Sequence, residues 1–188
     1  MAILQKNDPY TQPSFSLANR LLRVAWGIVY ALLFRTSPRP FHRWRAFLLR
    51  CFGAKMGRHC HVYPKAVIWA PWNLTMADYV GIADGVQCYS IAAISIGERS
   101  VISQGTFLCT GSHDYEDPAF QLIAEPITIG AQVWLCAESF VHPGVTVADG
   151  VVVGARSVVT RDLPGWMVCA GNPCRPLKPR ILQQSSSP

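Results

Sequence analysis

The sequence predicts a mainly β chain, wound as a parallel β-helix of six-residue repeats and entered through an amino-terminal helical extension. Three observations carry that reading. Aliphatic residues recur every six positions at Ile129, Leu135, Val141, Val147, Val153 and Val159. The next residue is small or polar each time (Gly130, Cys136, His142, Ala148, Gly154, Thr160), and four residues after each aliphatic come Val133, Ser139, Val145, Val151, Ser157 and Leu163. Upstream of residue 53 the periodicity is instead helical and, from Pro9 on, the charge is uniformly basic. Neither an amphipathic helix nor an alternating strand generates a period of six.

At 188 residues, 50% of them hydrophobic, the chain is long enough to bury a core without disulfides or metals. Its first thirteen residues are polar and turn-rich, with no charged region leading an apolar segment to a cleavage site, so a cytoplasmic protein is expected. The seven cysteines, at 51, 60, 88, 109, 136, 169 and 174, form no CxxC pair. They read as reduced, small core residues rather than a disulfide framework or a zinc site.

Residues 1–52 form the first unit. Ser16 to Cys51 reads as helix, broken where Pro38 and Pro40 remove backbone donors and disfavour helix before them. The uncharged run from Val24 to Phe34 is short of the ~20 residues a spanning helix needs, so it is not expected to cross a bilayer. From Pro9 to Ala77 there are ten Lys or Arg and no acid, whereas the remainder holds seven basic and eleven acidic residues. Arg20, Arg23 and Arg35 flank the apolar run; Arg39, Arg43, Arg45 and Arg50 follow, mixed with Phe41, Trp44 and Phe47. That mixture suits an anionic lipid interface, and equally a helix pair packed on the repeats or on a neighbouring subunit. No recognition motif accompanies it, so nucleic acid is not an expected partner.

Residues 53–168 form the repeat domain. Each hexapeptide makes one short strand of a triangular coil: the aliphatic side chain points to the axis, the small residue lets the chain turn, and successive coils stack at ~4.8 Å. The same register is read earlier at Ile96, Ile102 and Leu108, and more loosely at Met56, Val62, Ile68, Leu74, Val80 and Val86, with a slip between Val86 and Ile96. The polar residues after His113 replace a repeat, so 114–126 is predicted as an extruded loop, where function tends to sit. Residues 169–188 form a carboxy-terminal segment and tail.

Trp69-Ala70-Pro71-Trp72-Asn73-Leu74, Ser103-Gln104-Gly105, Cys109-Thr110-Gly111-Ser112-His113-Asp114-Tyr115 and the basic extension resemble the hexapeptide-repeat acetyltransferases, in the branch of colanic-acid and related exopolysaccharide synthesis. The resemblance covers Ser16 to Arg180 and implies a left-handed coil, an exception to the right-handed crossover rule that the period alone does not give. It implies acetyl-CoA as co-substrate, no metal, a homotrimer with sites at subunit interfaces, and an acceptor hydroxyl on a sugar that is lipid-linked or nucleotide-activated. His113 matches the family's general base, and imidazole suits the removal of an alcohol proton near neutral pH. An acid that orients the ring is expected, with Asp114 and Glu125 as candidates. Trp134 matches the tryptophan lining the pantetheine groove, Ala137 lies at its acetyl end and Ala155 on the next coil. Ala137 stands where some relatives carry serine, so oxyanion stabilisation falls to a backbone N–H. Thr160, Arg161 and Arg175 match the segments that meet the nucleotide phosphates. Gln87, Tyr89 and Ser90 are candidates for holding the acceptor, while Trp69, Trp72 and Trp166 read as packing.

Two other readings frame the expectation. A γ-class carbonic anhydrase on the same coil needs three histidines converging on zinc, and only His113 and His142 fall in plausible coils. A non-catalytic scaffold held at a membrane by the basic helices is compatible with the fold; the joint presence of His113, Trp134, Arg161 and Arg175 argues against it.

Overall fold

The computed structural model describes residues 2–3 and 9–182; the parts of the predicted extension and tail at 1, 4–8 and 183–188 lie outside the described residues. Three parallel walls enclose the coil. The first stacks Lys55–Met56, Leu74–Met76, Ile94–Ile96, Ile127–Ile129 and Thr146–Val147. The second stacks His61–Val62, Gly81–Ile82, Val101–Ile102, Trp134–Leu135, Val152–Val153 and Met167–Gly171, and the third stacks Val67–Ile68, Gln87–Tyr89, Phe107–Cys109, Phe140–Val141 and Val158–Val159.

One inward side chain per strand builds the axis. Met76, Ile96, Ile129 and Val147 follow one another up the first wall, Val62, Ile82, Ile102, Leu135, Val153 and Cys169 up the second, and Ile68, Cys88, Leu108, Val141 and Val159 up the third. All of them are buried. The residue two places before each axial residue also points inward, as Val133, Val145 and Val151 show. A sixth coil begins at Leu163, which bridges to Val147.

That second inward position explains where the expected register departs from the observed one. Leu74, Val80 and Val86 are buried, but the axial partners of Ile96, Ile102 and Leu108 are Met76, Ile82 and Cys88. A helical turn at Pro71–Asn73 lengthens the corner before Met76, one coil earlier than the predicted slip, and a second insertion between Cys88 and Ile96 brings the pattern back. Aliphatic side chains at both inward positions make the two registers look alike in sequence.

At the corners, the third residue after the axial one turns the chain. Tyr79, Arg99, Gln132, Glu138 and Arg156 all take a left-handed backbone there, with φ between 55° and 60°. On the first wall the residue just after the axial one (Gly57, Ala77, Gly97, Gly130, Ala148) is small for another reason. A Cβ on Gly97 would lie 2.5 Å from the Gly130 carbonyl carbon and the Ala131 nitrogen of the next coil.

The extension caps the first coil. Helix α1 spans Leu17–Val29, started by Ser16, whose Oγ accepts from the Asn19 N–H. It runs on through a wider turn at Tyr30–Phe34, where the Arg35 N–H donates to the Tyr30 carbonyl at 2.9 Å. Trp26 and Phe34 are buried against the coil, and the Trp26 indole N–H donates to the Ile68 carbonyl at 2.7 Å. After the proline break, α2 spans His42–Cys51 and inserts Arg45, which is fully buried. Its guanidinium donates to the Val62 carbonyl at 2.6 Å, the Ser37 hydroxyl at 2.7 Å and the carbonyls of Pro38 and Arg39. The charge read as part of a solvated or lipid-facing set is in fact the bolt between extension and coil, because a planar five-donor group can satisfy several carbonyls at once.

At the other end, the predicted carboxy-terminal boundary at 168/169 cuts a strand of the second wall. Met167–Gly171 pairs in parallel with Val152–Val153, then turns back antiparallel through Cys174–Pro179. The seven cysteines are free thiols as expected, although Cys51 is exposed rather than in the core.

Two glycines separate the demands of coil and helix. Gly97→Ala is expected to destabilise by about 1–3 kcal/mol through overpacking. Gly27→Ala, on an exposed helix where an added Cβ meets nothing within 4 Å, should stabilise by up to about 1 kcal/mol. Urea unfolding followed by circular dichroism measures both, and equal effects would show that the coil corner tolerates a side chain.

Candidate active site

The corner between the third and first walls is lengthened alike in the first two coils and becomes an arm in the third. In the first coil it is lengthened by Pro71–Asn73, and the Asn73 amide donates to the carbonyls of Ser90 and Ile91 in the second, at 2.9 and 2.8 Å. Thr110 joins the second to the third: its Oγ1 accepts from the Ala92 N–H at 3.0 Å and donates to the Tyr89 carbonyl at 2.6 Å. On that base the chain leaves the coil as an antiparallel pair, Gly111–His113 with Leu122–Ala124, joined on its outer edge by Ala2–Ile3. The predicted loop 114–126 is thus a hairpin whose return strand lies within those bounds. The sequence pattern did not single out Asn73, Thr110 or Phe120; a polar residue at each enlarged corner is the signal that could have found the first two.

His113 stands at the end of the outgoing strand, opposite Leu122, and is exposed. Its Nδ1 lies 2.7 Å from the Phe120 carbonyl. A carbonyl can only accept, so Nδ1 carries the proton and Nε2 keeps its lone pair, which is the tautomer a general base needs. The orienting group seen is therefore a main-chain carbonyl, where Asp114 or Glu125 was expected. The Asp114 carboxylate instead accepts from the Glu116 N–H at 3.0 Å. Phe120 is held with φ at 47°, unusual for a bulky residue and characteristic of sites where backbone geometry is put to use; its N–H donates to the Asp117 carbonyl at 2.8 Å.

The acceptor candidates separate. Ser90 is fully buried, its hydroxyl donating to the Ala70 carbonyl and accepting from the Ala70 N–H, each at 3.0 Å. It ties two coils together and cannot meet a sugar, because the inserted corner turns it inward. Gln87 is exposed on the third wall. Tyr89 is half-buried between Trp69 and Phe107, with ring centroids 5.7 and 6.2 Å away, and burial pushes its phenol up. This aromatic file runs on through Phe140 to His142.

The donor-side candidates are divided between edges. Trp134 is 48% exposed on the second wall, its indole N–H donating to the Ser103 hydroxyl at 2.9 Å. Ala137 and Ala155 occupy the same corner of consecutive coils, and the Arg156 N–H donates to the Ala137 carbonyl at 3.0 Å. Arg175 is exposed on the terminal hairpin opposite Ala170, in the next stacked layer. Thr160 and Arg161 are exposed after Val159, on the same edge as the arm but two coils further along. Beneath Trp134 lies a cleft of about 420 Å³ between Arg39, Tyr63, Asp84, Val101, Ser103 and Gln104, with an Arg39 to Asp84 ion pair at 3.4 Å.

Burial pushes Cys109 and Cys136 up and takes Cys88 to about 12, away from thiolate character. Among the described residues, no three His, Cys, Asp or Glu gather to hold a metal ion.

Known proteins agree with this architecture. No family model matches the chain. The Escherichia coli (strain K12) protein assigned as colanic acid biosynthesis acetyltransferase WcaF is 49% identical over 156 residues, 83% of this chain and 86% of its own. A hexapeptide-repeat acetyltransferase from Vibrio cholerae superposes with a TM-score of 0.80 at 27% identity over 88% of this chain and 94% of that one, and has also been solved with acetyl coenzyme A. A maltose O-acetyltransferase from Clostridium difficile 630 shares the fold, with a TM-score of 0.80 at 24% identity over 89% and 90% of the two chains. The coil is left-handed, as in these enzymes. A period of six, an arm that presents an imidazole, and near-half identity over most of the length together make this chain a member of the hexapeptide-repeat acetyltransferases.

Proposed function

We propose that this acetyltransferase carries the acetyl group of acetyl-CoA to a sugar hydroxyl in exopolysaccharide biosynthesis of the colanic-acid type, with His113 as general base. The observation that carries the reading is the Phe120 carbonyl on His113 Nδ1, which leaves Nε2 open on an exposed arm. Nε2 removes the hydroxyl proton as the sugar oxygen attacks the thioester carbonyl. The tetrahedral intermediate then collapses, the carbon–sulfur bond breaks, and the imidazolium returns the proton to the departing thiolate. The buried thiols argue for direct transfer without an acetyl-enzyme. The E. coli relative's assignment to colanic acid synthesis and the Vibrio complex with acetyl-CoA support the pathway and the donor.

Trp134, Ala137 and Ala155 supply a groove for pantetheine, and Thr160, Arg161 and Arg175 suit its phosphates. Gln87 and Tyr89 lie on the wall beside the arm, placed to meet an acceptor that is lipid-linked or nucleotide-activated. His113 and Trp134 occupy different sides of one triangular coil, so a complete site takes groups from two subunits, which supports a homotrimer. Dependence on acetyl-CoA supports the reading of a cytoplasmic enzyme.

Thiol release from acetyl-CoA with a panel of sugar acceptors tests the reaction. His113→Ala should lower kcat by about 10²–10⁴-fold with acetyl-CoA affinity retained; undiminished turnover removes His113 as the base, and absence of any CoA binding leaves the scaffold reading in its place. Trp134→Ala should raise KM for acetyl-CoA about tenfold with little change in kcat, the mark of lost uniform binding. Light scattering should give three times the 20.8 kDa of one chain, and a monomer of full activity would refute the shared site.

A further inference from the structure

Among the described residues, nothing covers one face of the extension. Leu17, Leu21, Val24, Ile28 and Leu32 recur at helical spacing along α1 and its final turn, each between 56% and 67% exposed. Leu33, Phe41, Trp44 and Phe47 continue the patch across the proline break, all exposed. There Leu33, Pro38, Phe41 and Trp44 frame a shallow groove of about 410 Å³, and the Trp44 indole N–H donates to the Leu33 carbonyl at 3.1 Å. Contiguous exposed apolar surface of this extent marks an interaction site rather than an ordinary exterior. Around it stand Arg20, Arg35, Arg43 and Arg50, all exposed, in a stretch without a single acid from Pro9 to Ala77.

We infer that this face is a docking surface for an anionic lipid bilayer, with α1 lying in the plane of the interface. The charge selects the occupant. A second copy meeting the patch face to face would set these arginines against their own counterparts, whereas an anionic headgroup layer neutralises them while the apolar stripe enters the acyl boundary.

The fold also selects the orientation. Leu17–Phe34 is long and apolar enough to cross a membrane by length and composition. Its other face, however, is fastened along the coil by Trp26 and Phe34 in the core, and Arg23 reaches inward to the Trp69 ring at 4.4 Å. A helix held side-on at its middle and its carboxy-terminal end can sink into the interface but cannot stand upright in a bilayer without leaving the core. The inference stands on the helix geometry and not on the acetyl-transfer reading. If both hold, the arm works within reach of lipid-linked sugars.

The test is sedimentation of the full chain with vesicles of phosphatidylglycerol and phosphatidylcholine in about equal parts, against phosphatidylcholine alone. Binding should be about tenfold stronger to the anionic vesicles, weakened by high salt and reversed by alkaline carbonate. Leu21→Asp with Ile28→Asp should lower it about tenfold or more. Arg35→Glu with Arg43→Glu should abolish the preference for anionic lipid even if the first variant fails to fold. Wild type remaining in the supernatant, or the aspartate variant changing the oligomeric mass, would show that another chain covers the face. Binding that resists carbonate would show a spanning helix, and either result overturns the inference. Acetyl-CoA turnover without vesicles, measured in parallel, separates failure of the membrane reading from failure of the enzyme.

Discussion

Stacking of one coil directly on the next, at the spacing of paired strands, governs what every other residue can be. Each axial side chain must fill the triangle above its predecessor, which is why valine, isoleucine, leucine and an occasional cysteine alternate up the same wall. At the corners the stacked backbones come so close that Gly97 and Gly130 leave no room for a Cβ. Side-chain oxygens also knit corner to corner, as where Asp149 accepts from the Ala131 N–H at 2.7 Å and Ser100 donates to the Gly130 carbonyl at 2.7 Å. A coil so constrained can vary only outward, and at one corner it does.

That corner shows how a repetitive scaffold makes a site. Two enlarged turns, pinned by Asn73 and Thr110, precede the third, which leaves as an arm. The arm then spends backbone strain at Phe120 to aim a carbonyl at His113. A carboxylate in that place would share the positive charge of the imidazolium; a carbonyl sets the tautomer with less charge stabilisation. Main-chain geometry thus sets the tautomer of the imidazole, while the coil supplies rigidity.

The extension follows a different logic. One face is fixed to the first coil by Trp26, Phe34 and the buried Arg45, whose guanidinium meets carbonyls rather than an acid. The opposite face keeps its apolar side chains outward, and Arg20, Arg35 and Arg43 are exposed. Amphipathicity in the sequence therefore reports two partners at once, one inside the chain and one outside it.

The six-residue period was legible because every strand repeats the same demand for one aliphatic inward, and it gave the wall, the core and the arm's departure point from residue types alone. Resemblance pointed to His113 and Trp134, but their surroundings were not legible. Only the folded chain revealed that Ser90 turns inward, that Met76 rather than Leu74 takes the axis, and that Phe120 rather than an acid orients the imidazole. In each case the deciding contact joins residues in different coils or across the arm, and a local pattern of side chains carries no record of how many residues a corner absorbs. Sequence determined the period and hence the coil; tertiary structure decided the register at the enlarged corners, because two inward positions per strand are chemically alike until stacking tells them apart.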